Sequence, residues 1–119
     1  MKTKGFVDQN LCPRIPFLSI EGEKLSLVVD TGFNGALCLP RPLLKELNFE
    51  MIGTYEVELA DGSCVPSAVY LGELLWFKKK TSVIAHETLS SEGLVGTELL
   101  RGCRFELEID KNFVLIIKK

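Results

Sequence analysis

Residues 27–40, with the sequence LVVDTGFNGALCLP, decide the interpretation of this chain. A hydrophobic run leads directly into Asp30-Thr31-Gly32, and after Phe33-Asn34-Gly35 the chain is apolar again. Aspartate is a poor strand residue and a costly one to bury. An aspartate that only ended a strand would be followed by polar residues. The pattern therefore predicts a carboxylate held in a tight turn between two buried strands.

The predicted turn at Asp30 suits acid–base chemistry. Main-chain N–H groups, including that of Gly32, can hydrogen-bond the carboxylate, because glycine permits a backbone shape that a side chain would block. One carboxylate cannot both activate a water and protonate a leaving group or carbonyl, so two are needed. The other aspartates do not lie in an Asp-Thr-Gly or Asp-Ser-Gly sequence; they are Asp8, Asp61 and Asp110.

The second carboxylate is therefore expected to be Asp30 of an identical subunit. A two-fold axis makes self-complementary contacts, and it would bring the two side chains face to face. Like charges at short range cannot both ionise, so such a pair shares one proton. The sequence predicts a homodimer on this ground.

Length and composition fit a single folded domain over residues 1–119. Of these residues, 46% are hydrophobic and 25% are charged, close to the average of globular proteins. The formal net charge is -2, and apart from Lys78-Lys79-Lys80 and the closing Lys118-Lys119 the basic residues are scattered. No nucleic-acid partner is expected, because a phosphate-binding surface needs concentrated positive charge.

Targeting and cysteine patterns point to a cytoplasmic protein. No apolar run has the length of a membrane-spanning helix, and the N-terminus lacks the apolar segment of a secretion signal, so no membrane partner is expected. No Cys-x-x-Cys pair suggests zinc or a redox centre, so we predict no metal and no cofactor. The four cysteines are expected to be small buried hydrophobes, with a disulfide framework as the alternative if the protein is exported.

Alternation and turn residues predict an all-β fold. Asp61-Gly62 is the strongest short hairpin signal, and the apolar segment Phe113 to Ile117 should be covered on both faces. About eight to ten short strands with one or two short helices indicate a small closed or nearly closed β-barrel. The predicted strands are 14–20, 25–29, 36–39, 53–60, 63–70, 71–77, 81–85, 105–109 and 113–117; the predicted helices are 41–47 and 97–101, and residues 86–92 are a predicted loop.

Two segments resemble those of a known family. The segment LVVDTGFNGALCLP is similar to the active-site segment of retropepsin-like aspartic proteases, the group that contains the homodimeric retroviral proteases. The segment GLVGTELLRG, residues 93–102, is similar to the family's second signature, two apolar residues and a glycine ahead of a short helix. The two signatures stand in the family order, and DTGFNG looks closest to small prokaryotic single-domain members.

The resemblance implies roles for individual residues. Asp30 would be the catalytic carboxylate, Thr31 would hydrogen-bond across the dimer, and Gly32 would supply the close-packed turn. Residues 58–69 would be a flap over the substrate, and residues 94–96 would support the catalytic loop from beneath. The residues assigned to substrate binding are Phe33, Asn34, Gly35, the flap tip Asp61, Gly62 and Ser63, and Val95. The bulky Phe33 would fill a substrate subsite, pack in the core or narrow the site.

Plain structural explanations compete with some functional ones. Asp61 is favoured as a turn former, because Asp-Gly suits a two-residue hairpin. His86, the only histidine, is expected to be an ordinary loop residue rather than half of a thiol–imidazole pair. Trp76 and Phe77 are expected in the core or an interface.

The function expected from the sequence is that of an aspartic endopeptidase, a hydrolase in which an Asp30 dyad across a homodimer activates water and a peptide or protein is the substrate. The alternative is a catalytically silent retropepsin-fold module that binds peptides or proteins. A monomeric β-barrel of structural function is the third possibility.

Overall fold

Ten strands form one continuous sheet in the computed structural model, which describes residues 1–119. The strands are β1 Lys2–Val7, β2 Pro13–Ser19, β3 Lys24–Val29, β4 Leu37–Pro40, β5 Glu50–Glu58, β6 Cys64–Trp76, β7 Lys79–Thr88, β8 Leu94–Val95, β9 Cys103–Glu108 and β10 Phe113–Lys118. One α-helix, α1 Arg41–Glu46, and one 3-10 turn, Ile109–Lys111, complete the elements. The predicted all-β class is confirmed.

Six of the strands close into a barrel, in the order β2-β3-β8-β4-β7-β6 and back to β2. The closing pair β6–β2 involves only Leu18 with Leu75 and Ser19 with Leu74, whereas β6 and β7 pair over eight residues. The predicted closed barrel is therefore present, but its closure is uneven. The remaining strands extend the sheet as a β5 arm on one side and β1, β10 and β9 on the other.

The core lies inside this barrel and is built by alternation. Successive side chains of a strand point to opposite faces, and on β3 and β4 the inward residues Leu27, Val29, Leu37 and Leu39 are all buried. On β10, Val114 and Ile116 belong to the core, and Leu115 on the opposite face is also buried, so the last strand is covered on both faces as predicted.

Two further packing predictions have clear outcomes. Trp76 and Phe77 are buried in the core, where Trp76 stacks on Phe17 with ring centroids 5.0 Å apart. The helix expected at 41–47 is present as α1, with Pro42 in its first turn and Leu44 fully buried.

The observed strands differ from the predicted ones in several places. The strand β1 was not predicted, and the strands 63–70 and 71–77 are one strand, β6, which is continuous through Gly72. The predicted loop 86–92 begins later, because β7 continues to Thr88. Pairing of residues 37–40 of β4 with residues 85–88 keeps this polar end of β7 extended.

The helix predicted at 97–101 does not form. The N–H groups of Thr97 and Glu98 donate to carbonyl oxygens of Phe33 and Gly35, and the segment contains only turns. Long-range backbone bonds therefore replace the local ladder that the sequence favoured.

The cysteines are all free thiols. Three of them, Cys12, Cys38 and Cys103, are half-buried, but Cys64 on the β5–β6 hairpin is exposed, so the expectation of burial was wrong for Cys64. No helix of this structure is both long enough and apolar enough to cross a membrane.

Candidate active site

The loop after β3 presents Asp30, which is half-buried. The N–H of Asp30 donates to the carbonyl of Val95 at 2.9 Å, so β8 sets the position of the residue. The N–H of Gly32 donates to Oδ1 of Asp30 at 2.9 Å, the bond that the sequence predicted, and the N–H of Phe33 closes the turn on the Asp30 carbonyl at 3.1 Å. The carboxylate is therefore fixed by its own loop, with its other oxygen free for chemistry.

Residues 93–98 brace this loop from beneath. The N–H of Gly96 donates to the carbonyl of Ala36 at 2.9 Å, and that of Thr97 to the carbonyl of Phe33 at 2.9 Å. A Cβ at Gly96 would overlap the carbonyl oxygen of Gly35. Glycine is required there because two backbones come too close for any side chain.

Phe33 fills the space beside the loop. Its ring is half-buried, lies against Gly35 and Gly96, and meets His86 edge to face with centroids 5.7 Å apart. Tyr55 of β5 contacts the same imidazole, with centroids 5.0 Å apart. His86 thus joins the Asp30 loop to the arm formed by β5 and β6.

His86 is not the loop residue that the sequence predicted. It lies on β7, and its Nδ1 is buried without a hydrogen-bond partner. Burial lowers the pKa of the imidazole below its ordinary value, because the charged form is disfavoured away from water.

Cys38 is the strand neighbour of His86, yet the two form no catalytic pair. Burial raises the pKa of the Cys38 thiol, and the nearby charge of Asp30 adds to the rise. No hydrogen bond joins Cys38 to His86, and a protonated thiol is a poor nucleophile. The arrangement does not favour thiol chemistry.

Strand register places a row of half-buried residues beside Asp30. Directly paired residues point to the same face of a sheet, and Asp30 follows a member of the row by two positions, which puts its side chain on that face. The row crosses from β2 to β6 through Arg14, Val28, Leu94, Cys38, His86 and Val69. It forms a continuous floor next to the carboxylate.

An ion-pair cluster closes one end of this row. Nε of Arg14 donates to Asp8 at 2.6 Å and its Nη2 to Glu92 at 2.7 Å. Arg14 lowers the pKa of the Asp8 carboxyl, which also accepts bonds from the N–H groups of Asn10 and Cys12. The carboxylate of Asp8 therefore stabilises the turn that follows it.

The predicted flap is the exposed end of the β5–β6 hairpin. Its turn spans Ala60 to Gly62, with Gly62 at φ +86°, so the loop has three residues rather than two. Oδ1 of Asp61 accepts bonds from the N–H and the hydroxyl of Ser63, at 2.9 and 2.6 Å. The turn-forming explanation of Asp61 is confirmed.

The comparisons with known proteins support the fold. No protein-family model and no curated protein matches the sequence. A crystal structure of a retropepsin-like aspartic protease from Rickettsia conorii is similar over 99% of this chain and 91% of that one, with a TM-score of 0.72 and 17% identity. The chain has the retropepsin-like fold.

Foamy viral protease-reverse transcriptase shares this retropepsin-like fold over part of its length. The structure with an RNA/DNA hybrid matches 73% of this chain and 11% of that one, at 17% identity and a TM-score of 0.55. The dRH structure with double-stranded DNA matches 80% and 16%, at 16% identity and a TM-score of 0.58. At these identities the likeness shows the fold.

The candidate residues form three groups, which differ in their position in the retropepsin-like fold and in their exposure. Residues 30–35 form one loop, in which Thr31, Gly32 and Asn34 are exposed. The flap-tip residues 61–63 are exposed and bond within their own turn. Val95 was wrongly grouped with substrate-binding residues: its side chain is 0% exposed between β3 and β4, so it supports the loop but lines no surface.

Sequence reasoning missed the contact of Tyr55 with His86 in this retropepsin-like fold. In residues 53–60, Tyr55, Val57 and Leu59 alternate with polar residues and so lie on one side of a strand, and this pattern was the available signal. The distance in sequence between β5, β7 and the Asp30 loop hid the partner. No group of three or more His, Cys, Asp or Glu side chains lies close enough to hold a metal ion.

Proposed function

We propose that the chain is an aspartic endopeptidase that works as a homodimer. The observation that carries this proposal is Asp30, half-buried and held by the N–H of Gly32 in a loop braced by residues 93–98. The shared fold with a retropepsin-like aspartic protease supports it. Each subunit supplies one Asp30, and no other aspartate of the chain sits in such a loop.

The mechanism follows from two facing carboxylates that share one proton. The ionised Asp30 takes a proton from a water, whose oxygen attacks the carbonyl carbon of the peptide bond. The protonated Asp30 of the second subunit donates a hydrogen bond to the carbonyl oxygen, which stabilises the negative charge of the tetrahedral species. The proton taken from the water then passes to the peptide nitrogen as the C–N bond breaks, which releases the amine and the carboxylic acid. An extended peptide would lie along the row beside Asp30, under the β5–β6 flap, with backbone bonds to strand edges. We place this activity in the cytoplasm.

The fold limits which surfaces can form the interface of the proposed dimer. Thr31 is exposed and free to bond across the two-fold axis. Both edges of β10 are already paired, with β1 and β9, so this strand cannot add itself to a sheet of the second subunit. The two subunits would meet mainly through their Asp30 loops and through surfaces other than the C-terminal strand.

The substitution Asp30→Asn tests the mechanism. An amide cannot act as the base, so we expect cleavage of a broad peptide library to fall below detection at acidic and neutral pH, while the dimer remains folded. Asp110→Asn, the same change at an exposed turn residue, is the matched control and should retain activity. Pepstatin should inhibit the wild-type protein. Full activity of purified Asp30→Asn protein would exclude the mechanism.

A non-cleaving peptide-binding module is the second candidate. One observation favours it: the rings of Phe33 and Tyr55 converge on His86 and fill space between the loop and the flap. Pepstatin-sensitive cleavage by the wild-type protein would eliminate this candidate, and peptide binding without cleavage would establish it.

A further inference from the structure

A cavity of about 390 Å³ lies beside the Asp30 loop and has no part in the proposed mechanism. It is bounded by the loop at Gly35, by β7 at Ile84 and His86, and by the turn after β8 at Glu98. The N–H of Glu98 donates to the carbonyl of Gly35 at 3.2 Å, which ties two of these walls together.

His86 supplies a hydrogen-bond donor to this cavity. The edge of the ring that carries Cδ2 and Nε2 faces Gly35: both atoms lie 3.0 Å from where a Cβ would stand there. On the other side of the ring, Nδ1 is buried with no acceptor. A buried N–H without a partner is costly, so the neutral ring carries its proton on Nε2. Contacts with Phe33 and Tyr55 hold the ring in place.

Glu98 supplies an acceptor to the same cavity. Its side chain is 56% exposed, and its only ion pair is with Arg101 at 3.5 Å, another exposed group. Such a pair is weak and leaves carboxylate oxygens able to accept further bonds. The cavity therefore combines an N–H donor from His86 with an oxygen acceptor from Glu98, and Thr81 and Ser82 line it as well.

We propose that this cavity is a side-chain subsite for a carboxamide, the side chain of a glutamine or asparagine in a peptide bound at the Asp30 loop. The carboxamide oxygen accepts the bond from Nε2–H of His86, and its NH2 group donates to the carboxylate of Glu98. A carboxylate side chain of the same shape is repelled by Glu98, and an aliphatic one leaves both polar groups unpaired. The inference rests on the proposed function for the fate of the peptide, but the binding preference is measurable without it.

Matched peptides test the subsite. Peptides differ at one position, which carries Gln, Glu or Leu, and that position is moved along the peptide from well before to well after the cleaved bond. We expect kcat/KM to favour Gln over Leu by about tenfold at one position, the effect of one or two hydrogen bonds. His86→Phe keeps a ring but removes the donor, so the ratio of Gln to Leu should fall to about one.

A second variant keeps the test independent of the fold around His86. Glu98→Gln removes the negative charge at an exposed position. It should therefore lower the ratio of kcat/KM for the Gln peptide to kcat/KM for the Glu peptide. Glu108→Gln, at an exposed acidic residue on β9 that also forms an ion pair of 3.5 Å, is the matched control and should leave both ratios as in the wild type.

The outcomes separate this inference from the proposed function. Cleavage with equal kcat/KM for Gln and Leu peptides at every position overturns the subsite and leaves the peptidase standing. If no peptide is cleaved, calorimetric titration of the same peptides decides: Gln-selective binding that His86→Phe removes supports the subsite while the peptidase fails. Binding without selectivity, or no binding, overturns both.

Discussion

Gly96 shows how one absent side chain shapes the Asp30 loop. The loop can rest on residues 93–98 only because the backbone of Gly96 touches the backbones of Phe33 and Gly35. The glycines of the chain are not equivalent in this respect. An added methyl group at Gly53 would meet nothing within 4 Å.

We expect Gly96→Ala to lower the free energy of unfolding by about 2–3 kcal/mol, since backbone atoms must move to admit the Cβ. Gly53→Ala, with open space around it, should change it by about 0.5 kcal/mol or less. Urea unfolding of both variants measures the difference. Equal stability of the two would show that the loop and its support do not meet as described.

His86 makes stability depend on pH. Its pKa in the folded chain lies below the ordinary 6.5 because the ring is buried. As the pH drops below about 6.5, the unfolded chain therefore binds more protons than the folded one, and the free energy of unfolding falls. The contribution is present above the pKa of the unfolded chain and is lost towards the pKa of the folded chain.

This is checked by NMR titration, in which the single imidazole should titrate below pH 6.5 in the folded protein. Unfolding of His86→Gln should depend less steeply on pH than that of the wild type over the same interval. An imidazole that titrates at or above its ordinary pKa would contradict the burial that we describe.

Some contacts that hold the elements together join residues far apart in the sequence, so no single segment predicts them. Strand β7 carries both His86 and Glu87, whose side chains point to opposite faces. Glu87 accepts bonds from Nε and Nη2 of Arg41, both at 3.1 Å, and from the hydroxyl of Tyr70 at 2.8 Å. Helix α1 is thereby fastened to β6 and β7.

Glu87→Gln should lower the free energy of unfolding by about 1 kcal/mol at neutral pH, because it weakens three hydrogen bonds to a charged group that is partly exposed. Arg41 lowers the pKa of the Glu87 carboxyl, so this contribution is present above about pH 4.5 and is lost as the pH falls. Glu108→Gln, at an exposed ion pair of 3.5 Å, is the control and should have little effect. A loss no larger than that of the control would show that the Glu87 bonds do not fasten α1.

The helix predicted at 97–101 does not form, although the residues at both of its ends suit a helix. Thr97 is a good helix cap and Gly102 a good helix end, and Gly102 does take a positive φ, +76°. The intervening residues nevertheless form turns, because the N–H groups of Thr97 and Glu98 are bonded to the Asp30 loop. Local propensity is worth less than a backbone bond that holds two distant segments together.

At the scale of the whole molecule, the proposed activity requires two subunits. The barrel presents the Asp30 loop at its surface with one such carboxylate per chain. A single chain thus carries half of the proposed catalytic pair.

Mixing wild-type protein with an equal amount of Asp30→Asn protein should therefore lower peptide cleavage to about half, since random exchange places half of the wild-type subunits in mixed dimers. The measurement is cleavage rate after equilibration, with sedimentation to confirm the dimer. A rate that is independent of the added variant, together with a monomer in sedimentation, would refute the dimeric mechanism.

The sequence by itself determined the Asp30 turn, the β5–β6 hairpin, helix α1 and the all-β class. Each of them depends on neighbouring residues, such as the glycine after Asp30-Thr31, the Asp-Gly turn and the alternation of apolar and polar residues. Tertiary structure alone decided the length of β6, the uneven closure through Leu18 and Leu75, and the place of His86 between Phe33 and Tyr55. These three features depend on pairing between segments far apart in the chain. The free energy of such a pairing depends on the residues of both segments. The local sequence does not show which segment will be the second partner. Val95, which was grouped with the substrate-binding residues, is buried between β3 and β4.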